Sequence, residues 1–132
     1  MAEECPLSEQ EQEWFDGGLA KFNKGSYWHA HEDWEDMWKS LKAREVEPRI
    51  VLGLQGLIQI AALMLKYEQQ KTRGTINMWS KLTAKLGTPD SPLFEKLWCV
   101  DIHKVLREVE PFFSDASEEE PTWNFIPNNV KL

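Results

Sequence analysis

The chain has 132 residues, two cysteines and fifteen aromatic side chains, seven of them tryptophan, with a formal net charge of −7. That length supports one domain with a real core, needing neither disulfides nor metals to hold it together. The charge sits at the ends: residues 1–13 hold five acids and no base, residues 115–132 four acids and one lysine, and the middle has 13 acids against 14 bases. A near-neutral body with acidic ends excludes a nucleic-acid module, which needs a basic stripe.

The start, Met1-Ala2-Glu3-Glu4, lacks the basic-then-apolar pattern of a secretory signal. Cys5 and Cys99 are therefore expected as free thiols in a reducing compartment, which places the protein in the cytoplasm. Residues 1–7 read as a flexible acidic start, 8–113 as a single helical domain, and 114–132 as an extended acidic tail.

Ser8 followed by Glu11 is a capping-box pattern, opening a first helix over residues 8–23 with Phe15, Leu19 and Phe22 at helical spacing. Gly17-Gly18 inside it costs roughly 2 kcal/mol against two alanines, so a second helix is expected to cross closely there. Gly25 ends the helix as a left-handed cap. Ser26 then opens a second helix to Ala43, with Tyr27, Ala30, His31, Trp34, Trp38 and Leu41 on one face. Trp28 falls off that stripe and is expected to be exposed.

Pro48 suits the first turn of a third helix reaching Gln70, roughly 34 Å long. No charge falls between Arg49 and Lys66, yet Gln55 and Gln59 lie four apart within this apolar run. A helix apolar nearly all round must be wrapped on most sides. Its glutamines then need hydrogen-bond partners. The uncharged run of 16 residues is shorter than the ~18–20 that a membrane span requires. Gly53 and Gly56 inside it predict close helix contact.

A fourth helix is expected over Thr75–Leu86, ended by Gly87 and Pro89. Residues 93–99 read as a short helical turn. Asp101 would then cap a last helix from Ile102 to Glu110 that Pro111 closes. In the tail, Trp123, Phe125 and Ile126 are the apolar residues that would dock its far end.

Chemistry concentrates in two stretches. Phe22 to Trp38 contains His31 and Glu35, four apart and so on one helix face, with Glu32 beside them. His29 and His31 point about 200° apart on a helix and do not chelate one metal. An ordinary zinc helix carries two histidines four apart. Here His31 and Glu35 are the metal-ligand candidates. Cys99 and His103 would form a thiol–imidazole pair on a continuous helix, but the Asp101 cap interrupts it.

The motif Phe-Asn-x-Gly-x-Tyr-Trp-x-Ala-His-Glu-x-x-Glu-x-x-Trp over Phe22–Trp38, with Gly-Leu-Ile-Gln-x-Ala-Ala over Gly56–Ala62, resembles the small all-helical family known as domain of unknown function 309. The resemblance runs to about Leu86, more weakly to the helix at Ile102. The family pattern has an acid where this chain has His29. It implies a compact helical fold and motif positions at His31, Glu32, Glu35 and Gln59, and no particular reaction.

The expected architecture is thus all-α: four main antiparallel helices plus a short C-terminal helix. If the second and third helices face each other, His31, Glu35, Gln55 and Gln59 form one polar cluster. Such a cluster is a satisfied buried network that fixes helix register, or a ligand pocket with His31 as base or ligand. The first function reading is a cytoplasmic binding or interaction module for a protein or small-molecule partner, self-associating through exposed aromatics. The alternative is a small metal-dependent or acid–base enzyme centred on His31 and Glu35. The sequence assigns no cofactor.

Overall fold

The computed structural model describes residues 6–132, so Cys5 and most of the expected flexible start lie outside the described residues. Five helices carry the fold: α1 (Glu9–Asn23), α2 (Tyr27–Ala43), α3 (Pro48–Glu68), α4 (Thr72–Leu86) and α5 (Ile102–Ala116). Connections of three or four residues join the first four, which forces sequential neighbours into antiparallel hairpins. The chain is an all-α bundle, with α3 packed between α2 and α4.

Leu54, Leu57, Ile60, Ala61, Leu63 and Met64 of α3 are fully enclosed. The helix is 21 residues long, with mean hydropathy 1.6, which is enough by length and composition to cross a membrane. Of its most apolar stretch, 67% is buried against this chain's own helices, which is how a core helix packs. Gly56 admits α4: a Cβ there would lie 2.5 Å from Leu86 Cγ. Gly53 admits the following loop, against Phe94 and Leu97.

The α1–α2 crossing centres on Trp34, which is fully buried and donates its indole N–H to the Phe15 carbonyl at 3.3 Å. Gly18 lies beneath that indole. At the other end of α1 the capping box forms, with the Glu11 N–H donating to Ser8 Oγ at 3.1 Å and the Ser8 N–H to Glu11 Oε1 at 3.0 Å. Glu11 also accepts from Ser40 Oγ at 2.5 Å and from Arg44 through Nε at 3.0 Å and Nη2 at 2.8 Å. The carboxylate is 1% exposed. Arg44 holds its pKa down to about 2 against the opposing effect of burial, with help from Ser40 and the Ser8 backbone.

Three elements differ from the sequence expectation. α4 begins at Thr72 rather than Thr75, and Gly74 lies within its first turn against the Lys66 stem. Residues 87–101 form two small hairpins, β1 (Gly87–Thr88) with β2 (Ser91–Pro92) and β3 (Lys96–Leu97) with β4 (Val100–Asp101), where a helical turn was expected over 93–99. Trp98, first of the two turn residues, takes φ = 54°, the conformation of a tight hairpin turn. Gly87 is at φ = 91°, and a Cβ there would run into the Ser91 carbonyl oxygen, leaving no room for a side chain.

The third difference is α5. Asp101 caps it, accepting the Lys104 N–H at 3.1 Å, but the helix runs through Pro111 to Ala116. A mid-helix proline costs about 3 kcal/mol. Phe112 and Ala116, both buried, continue the stripe of Val105 and Val109 and offset it.

Asp115, near the end of α5, ties down the chain that follows. Its carboxylate accepts from Tyr67 Oη at 2.7 Å, the Thr122 N–H at 3.0 Å, Thr122 Oγ1 at 2.8 Å and the Trp123 N–H at 2.9 Å. Burial would raise its pKa; these four donors outweigh that and hold it at about 2. Burial, then the bond to Asp115, pushes the Tyr67 hydroxyl up to about 12. Trp123 packs on Tyr67 with ring centroids 5.0 Å apart, while Pro127 and Val130 are buried. Phe125 and Ile126 remain substantially exposed. Asp115→Ala is expected to cost about 2–3 kcal/mol by stranding those donors. Amide hydrogen exchange should accelerate first across residues 118–126, and unchanged exchange there would show that the tail is held elsewhere.

Candidate functional site

The α2 and α3 periodicities bring one face of each helix to a common cleft. From α2 come His31, Glu35 and Trp38, spaced by four and three; from α3 come Gln55, Gln59, Ala62 and Lys66, spaced by four, three and four. Met78 of α4 closes one side. The cleft encloses about 320 Å³. Its polar residues are half-buried.

Around this space the four side chains singled out by sequence meet, but they do not bond across the helices. His31 Nδ1 lies 3.3 Å from Glu35 Oε2, within ion-pair range, yet the alignment makes no hydrogen bond and leaves that buried nitrogen without a partner. Gln59 Oε1 accepts from Lys85 Nζ of α4 at 3.1 Å. Gln55 makes no side-chain hydrogen bond among the described residues. The Trp38 indole nitrogen is also buried and unpartnered. Trp28, 56% exposed, stacks on the His31 ring with centroids 5.6 Å apart and planes 6° from parallel.

Glu32 is not brought to the cleft; it is exposed and pairs with His29 at 3.1 Å. Cys99 is exposed in the β3–β4 turn and His103 sits in the first turn of α5, beyond the Asp101 cap. Among the described residues no three His, Cys, Asp or Glu side chains gather closely enough to hold a metal ion. His31 and Glu35 would supply two ligands, where a structural zinc site takes four and a catalytic one three.

Sequence reasoning missed Lys85 and Met78. The apolar stripe of α4 identifies its inner face, and Lys85 lies at its margin. Burial, then the neighbouring Lys81, lowers the pKa of the Lys85 ammonium. A lysine following an amphipathic stripe has many exposed counterparts, so only the placement of Gln59 opposite it singles this one out.

Fold and site together define an α-helical bundle with a half-buried polar cleft along its central helix. Residues 15–78, from the middle of α1 to the middle of α4, match the model of the family described as domain of unknown function (DUF309), which supports the family resemblance of the motifs over that stretch. No curated protein and no solved structure matches the chain.

Proposed function

We propose that the chain is a cytoplasmic, non-enzymatic binding module whose ligand is a small molecule held in the α2–α3 cleft. One observation carries this reading. Four buried side-chain polar atoms lack a partner among the described residues, and two of them, His31 Nδ1 and Trp38 Nε1, belong to side chains that line the same cleft. An unpaired buried donor costs about 1–3 kcal/mol, and native proteins retain few. A purely structural network would have satisfied these groups. The acidic ends and near-neutral body speak against a nucleic-acid partner. Trp28, Phe125 and Ile126 offer exposed apolar surface for self-association.

A second reading makes the pair an acid–base dyad, with His31 as base and Glu35 orienting it; the 3.3 Å approach supports it.

Denaturant unfolding of His31→Ala and Gln59→Leu separates cleft from network. Each substitution is expected to cost less than about 1 kcal/mol, because each side chain is half-buried and neither bonds across the α2–α3 interface. A loss of about 3 kcal/mol or more from either would make the cluster a stability element and sink the binding reading. Stoichiometric zinc in untagged protein, absent from His31→Ala, would turn the choice to an enzyme.

A further inference from the structure

The cleft does not end at Trp38. A second groove, of about 590 Å³, shares Trp38 and Gln55 with it and continues toward the start of α3. Its remaining lining is mainly apolar, from Val46, Pro48, Val51 and Leu52, and Leu52 is 47% exposed. The two spaces together follow α3 from Leu52 to Lys66, roughly 21 Å at 1.5 Å per residue. One end is apolar and the other polar. Both volumes fall in the range of small-molecule sites.

The polar end is short of negative charge. Lys85 rests on two neutral oxygens, Gln59 Oε1 at 3.1 Å and the Lys81 carbonyl at 3.4 Å. Lys66 has no carboxylate partner among the described residues. Lys42 lies over the Trp38 ring, 4.8 Å from its centroid. Against these three lysines stand Glu35 and Glu45. This positive excess, to which Lys81 beside Lys85 adds, sits in a chain whose net charge is −7. A partly dehydrated ammonium gains most from an anion, since the attraction is screened least where water is scarce.

We infer that this continuous groove binds an amphiphilic monoanion, a carboxylate on a short hydrocarbon chain, with the head between Gln59, Lys66 and Lys85 and the chain lying toward Leu52. The inference rests on the reading of the cleft as a binding site. A single carboxylate keeps the negative charge added beside Glu35 to one. The hydrocarbon would cover Val51 and Leu52, and each methylene removed from water contributes to affinity without regard to head group. Chain burial and head recognition can therefore be separated experimentally.

The wild-type chain is titrated with sodium octanoate, octanol and octylamine, all below their aggregation limits, and followed by 1H–15N spectra. Octanoate is expected to shift the Gln55 and Gln59 amides and the Trp38 indole saturably, at least tenfold more tightly than octanol. Octylamine is expected to leave them in place. Lys85→Gln should weaken octanoate by about five- to tenfold and leave octanol unchanged, by the loss of one partly screened charge. Leu52→Glu, at an exposed site that leaves folding intact, should weaken both. Equal affinity for octanoate and octanol at these resonances overturns the charge selection while leaving cleft binding standing. Octanoate shifts confined to other surfaces, or none that saturate, overturn the inference. The binding reading then stands or falls on the stabilities of His31→Ala and Gln59→Leu.

Discussion

Glu11→Ala is expected to lower stability by about 2–3 kcal/mol, since it removes a buried carboxylate and its bonds from a pair whose Arg44 side chain is 43% exposed. Its carboxylate, 1% exposed, is where four donors from the α1 cap, α2 and the residue that ends α2 converge: the Ser8 N–H, Ser40 Oγ and two nitrogens of Arg44. Removing it takes two bonds from the Arg44 guanidinium, which keeps one to the Pro6 carbonyl at 2.8 Å. The same group predicts a pH dependence. The fold lowers Glu11 from 4.5 to about 2 and Asp115 from 3.8 to about 2. The stabilisation is therefore complete above those ordinary values and is withdrawn as pH falls through them toward 2. For Glu11 the displacement corresponds to about 3 kcal/mol. Urea midpoints measured between pH 7 and pH 2 should fall steeply for the wild type and less steeply for Glu11→Ala. Parallel curves would show that Glu11 is not what acid protonates.

Gly18→Ala is the second large effect, expected at about 3 kcal/mol despite a gain of about 1 kcal/mol in helix propensity. The added Cβ would lie 2.6 Å from Trp34 Cε2 and nearer still to the indole nitrogen. Trp34 is fully enclosed, its N–H is committed to Phe15, and its ring lies 6.1 Å from that of Phe22, so it has nowhere to retreat. Gly17 supplies the control. A Cβ there would meet Asp33 Oδ2 at 2.9 Å, the end of a movable side chain, so Gly17→Ala should stay within about 1 kcal/mol of the wild type. Thermal melts of the two variants test the contrast. Equal losses would place the close approach of α1 and α2 away from Gly18.

Where the sequence reading succeeded, the signal was local or periodic. Ser8 and Asp101 cap their helices through backbone N–H groups three residues on, a geometry fixed within one turn. The spacings of His31, Glu35, Gln55 and Gln59 put each pair on one helix face, and hairpin packing turned those faces together. What could not be read depended on distant partners. Glu11 has a complete local role in its capping box, so nothing near it announces Ser40 or Arg44, 29 and 33 residues away. Pro111 reads as a stop because its cost is local, whereas Phe112, Ala116 and the Asp115 bonds that outweigh it are tertiary. Spacing places side chains on a face without naming what they meet there: Lys85 arrives from α4 to occupy Gln59, while His31 Nδ1 is left without a hydrogen bond.

The Asp115 knot carries a consequence for the order in which the chain acquires its structure. The contacts between α1 and α2, α2 and α3, and α3 and α4 join neighbours in sequence, so little loop entropy opposes them and they can form early. Tyr67 and Asp115 are 48 residues apart, Tyr67 and Phe125 are 58 apart, and the Leu132 N–H reaches Asn23 across 109. These closures become favourable only once the bundle presents both partners. The C-terminal strap therefore acts on the rate at which the finished molecule opens, and little on the rate at which the bundle assembles.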